Sequence, residues 1–442
     1  MRDLNKYLLV WTTCALVVLL TGPQAVGGTL KVCKTCTYTS VKEAVGQAKA
    51  GDVVLVDGGV YQESGIEIMQ PIRLIGQNNP VIDGNNSGQI ITVASDDVTI
   101  QGFTLQNVAT SYTRDDAAIR VRQHNNIQIL NNTILKTYYG IYLQYADGIV
   151  IKDNVVKGEN LGRTESSLGN AIHLYKTDDV QIIGNDVQGY RDGIYLETVK
   201  NSTVERNISH QNSRYGLHFM FSDGNAYTHN TFRNNGAGVA VMYTTNVRME
   251  HNVFEDNWGA ASYGLLLKEI NNSVIHNNIF RRNTTGIHME SSSRLDITSN
   301  DFERNGWAIK LMTTCIDDTF RLNNFTGNSF DISTNGNAQH NFFEHNYWDK
   351  YTGYDLDKDG VGDVPHRPVS LYAMLVERVP PSVMLMRSFM VDLLDNMERV
   401  LPSIIPQNLV DESPLMKKID HDNNREFVQV LRQTASAPWR ER

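Results

Sequence analysis

The sequence predicts an all-β fold, a right-handed parallel β-helix solenoid of about 22-residue coils with an N-terminal helical cap and a C-terminal α-helical extension. Three observations carry this. An asparagine recurs in the frame apolar-x-x-Asn-x-apolar, at Ile129…Asn132…Ile134, Ile151…Asn154…Val156, Ile182…Asn185…Val187, Val204…Asn207, Tyr227…Asn230…Phe232, Met249…Asn252…Phe254, Ile275…Asn278…Phe280, Ile297…Asn300…Phe302 and Phe343…Asn346…Trp348. Its steps are 22, 31, 22, 23, 22, 26, 22 and 46 residues, one repeat length with two insertions and one doubled step. A second phrase keeps pace with it, as in Gly140-Ile-Tyr-Leu, Gly193-Ile-Tyr-Leu, Gly216-Leu-His-Phe and Gly286-Ile-His-Met. Finally, the repeat is too short for a βαβ unit yet long enough for strand–turn–strand–turn coils, read here as two alternating strands per repeat.

Within Gly-Ile-x-Leu, alternation points the two apolar residues into the tube and the residue between them outward. Asn suits the corner because it tolerates left-handed backbone and its amide can bond to the same residue one coil away. Phe232, Phe254, Phe280, Phe302 and Trp348 are expected to stack inside.

Taken in order, residues 1–27 read as a secretory signal peptide: Arg2 and Lys6, an apolar run from Tyr7 to Leu20, then small residues around Ala25 to Gly28. The run is short for a retained membrane anchor. Cys14 falls within the signal, and Thr13 with the apolar run after it argues against a lipoprotein site. Residues 28–105 form the N-terminal cap and first coils. Cys33 and Cys36 make a C-x-x-C that is either a small disulfide or a thiolate metal site. Ser40-Val-Lys-Glu43 is a capping box opening a helix to about Lys49, which would cover the open end of the solenoid. Regular coils occupy 106–348, and Cys315 among apolar neighbours reads as a buried thiol. A net charge of -9 with no basic stripe argues against a nucleic-acid partner.

Residues 349–369 hold an acidic loop, Asp355-Leu-Asp357-Lys-Asp359-Gly360-Val361-Gly362-Asp363. Alternate carboxylates around a turn glycine are what Ca²⁺ requires, with Asp355, Asp357, Asp359, Val361 and Asp363 as candidate ligands; a solvated acidic turn is the plain alternative. Residues 370–406 are Met-rich and helical in pattern. Met384, Met386, Met390, Leu393, Leu394 and Met397 recur at helical spacing, either as a cap on the coils or as a docking surface. Residues 407–442 are polar and expected to be disordered.

The signal, the Asn/Gly coils, the phrase Asn346-Tyr-Trp-Asp349 leading into the acidic loop, and the segment from Pro365 through Pro406 together resemble the NosD family. Coil pattern alone is shared with carbohydrate-active β-helix proteins; the stretch 341–406 is more specific. The resemblance implies a non-enzymatic periplasmic protein, peripheral to the inner membrane through an ABC permease and its cytoplasmic ATPase (NosY and NosF). It also implies a copper chaperone, NosL, and a client, the nitrous oxide reductase NosZ, whose copper–sulfur centre is being built.

Outward columns of the coils offer copper ligands. The residue two after each strand glycine and the fourth bring His218, Met220 and Met242 onto adjacent coils, a soft imidazole–thioether set suited to Cu(I). A rival set at the Asn corner is His229, His251 and His276, which would suit Cu(II) or Zn²⁺ equally. The alternative class is a polysaccharide lyase, hydrolase or epimerase, with Tyr195, Glu197 and His218 as acid–base candidates.

Overall fold

The computed structural model describes residues 27–110, 114–159, 167–336, 340–386, 388–400 and 409–421. The signal-peptide segment thus lies outside the described residues. Coils stack into a parallel β-helix whose walls are three sheets of 14, 13 and 12 strands. Each regular coil gives three strands, not two. The Asn phrase itself spans two of them, for instance Gln128–Leu130 and Thr133–Leu135, split by the corner at Asn132, and the glycine phrase makes the third, Tyr139–Gln144. Neighbouring coils pair in parallel with like residues opposed, as in Ile151↔Ile182 and Phe254↔Phe280. The core is accordingly columns of identical side chains. Phe232, Phe254, Phe280, Phe302, Phe325 and Trp348 stack with centroids 5.5, 4.6, 4.9, 4.9 and 4.0 Å apart.

At the corner the expected roles divide between two residues. The one before the asparagine takes the left-handed backbone, as at Asp153 (φ 54°), Arg206 (54°), His229 (57°) and His251 (56°). The asparagine itself is buried. Its backbone N–H and its Nδ2 both donate to the Oδ1 of the next coil's asparagine, 3.0 and 3.0 Å for Asn230 to Asn252 and 2.9 and 3.1 Å for Asn252 to Asn278. Nδ2 also donates backward, to Tyr227 O in the case of Asn252 (2.9 Å). Such a position demands donors and an acceptor on one short planar group, which the Asn amide supplies. The doubled step is filled by Asn323, bonded to Asn300 and Asn346. A second ladder, Asn212, Asn235, Asn257, Asn283, Asn305 and Asn328, runs beside the first. Each of its members follows a first-ladder asparagine by five residues, a spacing the sequence already displays.

Both ends are closed. Strand Thr29–Val32 pairs with Val53–Val56, and helix α1 (Val41–Gln47) buries Val41, Ala44 and Val45 against the first coils. Ser40 Oγ accepts the Glu43 N–H at 3.1 Å, while the Glu63 carboxylate, not that of Glu43, takes the Val41 and Lys42 N–H groups at 3.0 and 2.7 Å. Cys33 and Cys36 are joined in a disulfide, and Cys315 is a buried free thiol whose burial pushes its pKa up to about 12.

At the other end the structure corrects the sequence reading of a disordered tail. Residues 409–421 are folded onto the last coil, burying Leu409, Leu415 and Ile419. Asp411 occupies the next rung of the Asn ladder: its Oδ2 accepts from Asn346 N, Asn346 Nδ2 and Trp348 Nε1, each at 3.0 Å. Polar composition concealed a cap because the cap works through a buried carboxylate and three apolar anchors spread over eleven residues. Residues 422–442 lie outside the described residues.

Helices α2 (Leu371–Arg378) and α3 (Phe389–Val400) flank a 3₁₀ segment, Pro380–Leu385. They pack on the 12-stranded sheet's outer face near the final coils through Phe330, Tyr372, Ala373 and Val376, joined by Trp307, Val391 and Leu394. Lys310 Nζ and Ser333 Oγ both reach Glu377 Oε2, at 3.1 and 3.2 Å. Among the described residues no helix is long and apolar enough to cross a membrane.

Candidate copper site and docking face

The long strands of the 12-stranded sheet position the candidate site. Their second residue is glycine or, at Ala118, Ala171 and Ala308, alanine; at Gly193 the neighbouring coil leaves no room for more, since a Cβ there would lie 2.2 Å from Ser209 Oγ and 2.6 Å from Gly216 O. The residues after it resume alternation, so His218, Met220 and Met242 lie on the outer face as the column argument requires, with Met220 and Met242 opposed in register.

Exposure differs from the expectation of surface residues. Met220 and Met242 are half-buried, whereas His218 is only 3% exposed. Its ring lies between Tyr195 (4.6 Å, stacked) and Tyr215 (4.9 Å, tilted). The Tyr195 hydroxyl donates to Met220 Sδ at 3.5 Å. Behind His218 stands Asp192, fully buried, with Oδ2 3.7 Å from His218 Nδ1, 3.4 Å from an Arg191 guanidinium nitrogen and 4.0 Å from Arg214. Burial opposes the Asp192 charge, but His218, Arg191 and Arg214 outweigh it and hold the carboxyl below its ordinary range. One coil before Asp192, His173 stacks on Tyr142 (4.6 Å) and tilts against Tyr195 (4.7 Å), and burial drives its pKa down to about 3. Sequence columns located His218 and both methionines; Asp192, three positions before Tyr195, escaped notice because it precedes the glycine and alternation alone assigns it to the inside.

At the Asn corner, His229 and His251 stack at 4.8 Å, nearly parallel. His276 does not join them, since it sits in strand Val274–His276 and pairs with Asp296 at 3.2 Å. In the acidic loop, ligand oxygens of Asp355, Asp357 and Asp359 come within 4.8 Å of one another. Asp363 is instead engaged with the Leu356 N–H (2.7 Å), and Val361 donates its own N–H to Asp359 (2.7 Å). Asp359 beside it raises the Asp357 pKa, as one carboxylate does to another close by.

Five of the six docking candidates are exposed, Met384 (86%), Met386, Met390, Leu393 and Met397, and so is Phe389 (80%), which was not among them. Leu394 turns the other way and packs on the Phe330 cluster. Helix α3 therefore has apolar residues on both sides, one seated and one free.

The family model described as "Periplasmic copper-binding protein (NosD)" matches residues 45–165 and 159–353. A curated protein of Pseudomonas aeruginosa named "Probable ABC transporter binding protein NosD" is 28% identical over 397 residues, covering 79% of this chain and 85% of its own. Its namesake in Stutzerimonas stutzeri is 27% identical over 378 residues, covering 81% and 85%. Among solved structures, an Azotobacter vinelandii mannuronan C-5 epimerase A-module aligns with a TM-score of 0.50 at 14% identity, over 70% of this chain and 88% of that one. A Yersinia enterocolitica family 28 exopolygalacturonase aligns at 0.51 and 9% identity, over 74% and 79%. At such identities these two share the β-helix fold alone. The family model spans most of the coils and both curated relatives cover most of the chain, so this protein belongs to the NosD family of periplasmic copper-binding proteins.

Proposed function

We propose that this chain is the periplasmic, non-enzymatic component of an ABC-transporter complex that supports assembly of the copper–sulfur centre of nitrous oxide reductase. The observation that carries the reading is the free apolar face of Met384, Met386, Phe389, Met390, Leu393 and Met397, on a chain whose relatives are named ABC transporter binding proteins. So much exposed apolar surface on a folded segment marks a binding face, and methionines let such a face adapt to its partner. The partners are then a permease and its ATPase (NosY and NosF), the chaperone NosL and the client NosZ, with the protein held at the inner membrane through the permease.

Copper is handled as cargo. His218, Met220 and Met242 fit Cu(I): two thioethers in register on adjacent coils, beside an imidazole whose ring nitrogens have no hydrogen-bond partner among the described residues. Half-buried methionines are reached first and the buried imidazole second. Calcium at Asp355, Asp357 and Asp359 would serve only the loop. The test is co-expression with the permease and ATPase: a stoichiometric complex, lost when Met384, Phe389 and Met390 are changed to Ser, supports the reading, and purification of the chain alone overturns it. In parallel, changing His218, Met220 and Met242 to Ala should remove Cu(I) binding measured against a competing chelator, while changing His229 and His251 leaves it.

A second reading, a carbohydrate-active enzyme, draws on the buried grouping of Tyr195, His218 and Asp192 with two arginines. Turnover of an oligouronate, lost in His218→Ala, would favour it.

A further inference from the structure

We propose that Asp192 is a positioning residue for copper, resting on the reading of His218 as a ligand. His218 and Asp192 are contributed by adjacent coils, on strands Tyr215–Met220 and Asp192–Glu197, and both are buried. A buried imidazole with neither ring nitrogen bonded loses its hydration with nothing in exchange, which is costly. Yet His218 Nδ1 and Nε2 both stand in that condition. The nearest acceptor is Asp192 Oδ2, 3.7 Å from Nδ1. That is about 0.7 Å beyond the usual N–H···O distance, a gap of the kind that closes when a site is loaded.

The surroundings keep Asp192 fit for the task. Its other oxygen accepts the Tyr215 N–H at 3.3 Å, which fixes the carboxylate plane, and Arg191 and Arg214 stand at 3.4 and 4.0 Å from Oδ2. Arg214 also lies over the Tyr215 ring at 4.5 Å. Oδ2 thus faces both guanidinium groups and His218 Nδ1, an acceptor aimed at a proton-bearing ring nitrogen. With Nδ1–H committed to Asp192, the imidazole is locked in the tautomer whose lone pair is on Nε2, and Nε2 becomes the copper nitrogen. A carboxylate that accepts the other N–H of a metal-binding imidazole fixes both tautomer and ring orientation and raises the basicity of the free nitrogen. Tyr195 and Tyr215, their ring centroids 4.6 and 4.9 Å from that of His218, limit its rotation. Asp192 itself touches no copper.

The experiment uses the full mature chain. Cu(I) affinity is measured anaerobically against a chromogenic chelator for the wild type and for Asp192→Asn, which preserves shape and can still accept the Tyr215 N–H. The expected result is a loss of about 10- to 100-fold in affinity with the stoichiometry retained. Nitrogen-15 spectra of His218 supply a readout that general loosening of the fold would not give, and in the wild type they need no variant. They should show a protonated Nδ1, with the Nε2 resonance moving on addition of Cu(I), and in Asp192→Asn a mixture of tautomers. A protonated Nε2 in the wild type, or unchanged affinity in a folded Asp192→Asn protein, overturns the positioning role while leaving His218 as a ligand. A wild-type chain that binds no Cu(I) overturns both.

Discussion

Asp318 occupies a rung where other coils use Ser or Asn, as at Ser202, Asn225, Ser273 and Asn341. Its Oδ1 accepts the Leu295 N–H at 2.9 Å, but its buried Oδ2 has no hydrogen-bond partner among the described residues. Burial pushes its carboxyl up to about 8. The folded state therefore holds a proton that the unfolded chain releases above about pH 4. For a raised carboxyl the stability contribution is complete below the unfolded pKa and is lost as pH rises toward 8. Asp318→Asn keeps the acceptor and removes the titration. We expect it to be near neutral at pH 4 and to stabilise by on the order of 3–5 kcal/mol at pH 8, read as urea midpoints at the two values. Midpoints that move together with pH in both proteins would contradict this account.

Capping elements decide how far the coils hold together, because each coil touches only its neighbours and an open edge frays first. Asp411 closes the ladder at one end with three accepted hydrogen bonds. Asp411→Ala leaves three buried donors, two on Asn346 and one on Trp348, without an acceptor. A loss of about 3–5 kcal/mol follows at roughly 1–3 kcal/mol for each, less what water recovers. Tryptophan fluorescence should report it as early melting of the last coil, and truncation before residue 409 should reproduce it. Asp411→Asn, by contrast, retains the acceptor and should cost little. In the acidic loop the change of Asp357 and Asp359 together to Ala should lower the melting temperature in calcium buffer and not in chelator, since an ion stabilises only the state that binds it. Equal losses in both buffers would mark an ordinary turn.

Across the whole molecule, the metal candidates and the seated helices share the outer face of one sheet, with the helices over the final coils and His218, Met220 and Met242 several coils away. Removing residues 370–406 should remove transporter binding and leave the coils folded, with a moderate fall in stability because Phe330 and Trp307 lose their cover and Lys310 its partner Glu377. Changing only the free side, Met384, Phe389 and Met390, to Ser should remove binding with no fall in stability. Far-UV circular dichroism and pull-down on the two variants separate seating from docking. Full binding by the truncated chain would place the docking surface elsewhere.

By itself the sequence determined what repeats: coil length, the Asn rung, the aromatic stack, the glycine forced by a neighbour's carbonyl, and the columns that bring His218, Met220 and Met242 together. A parallel β-helix copies each local preference onto the next coil, so periodicity in the chain becomes adjacency in space. Three strands per coil were hidden because one phrase contains two short strands and the corner between them is only two residues, a left-handed one and a buried asparagine. Only the tertiary structure decided what does not repeat. It placed Asp192 behind His218, turned His276 away to Asp296, drew Leu394 inward while leaving Met390 out, and seated Asp411 on the last rung. Those contacts join residues 20 or more apart with no shared period, or hang on which side of one helix finds a surface to cover. They are fixed by packing and by the need to satisfy buried donors, neither of which leaves a pattern in the linear chain.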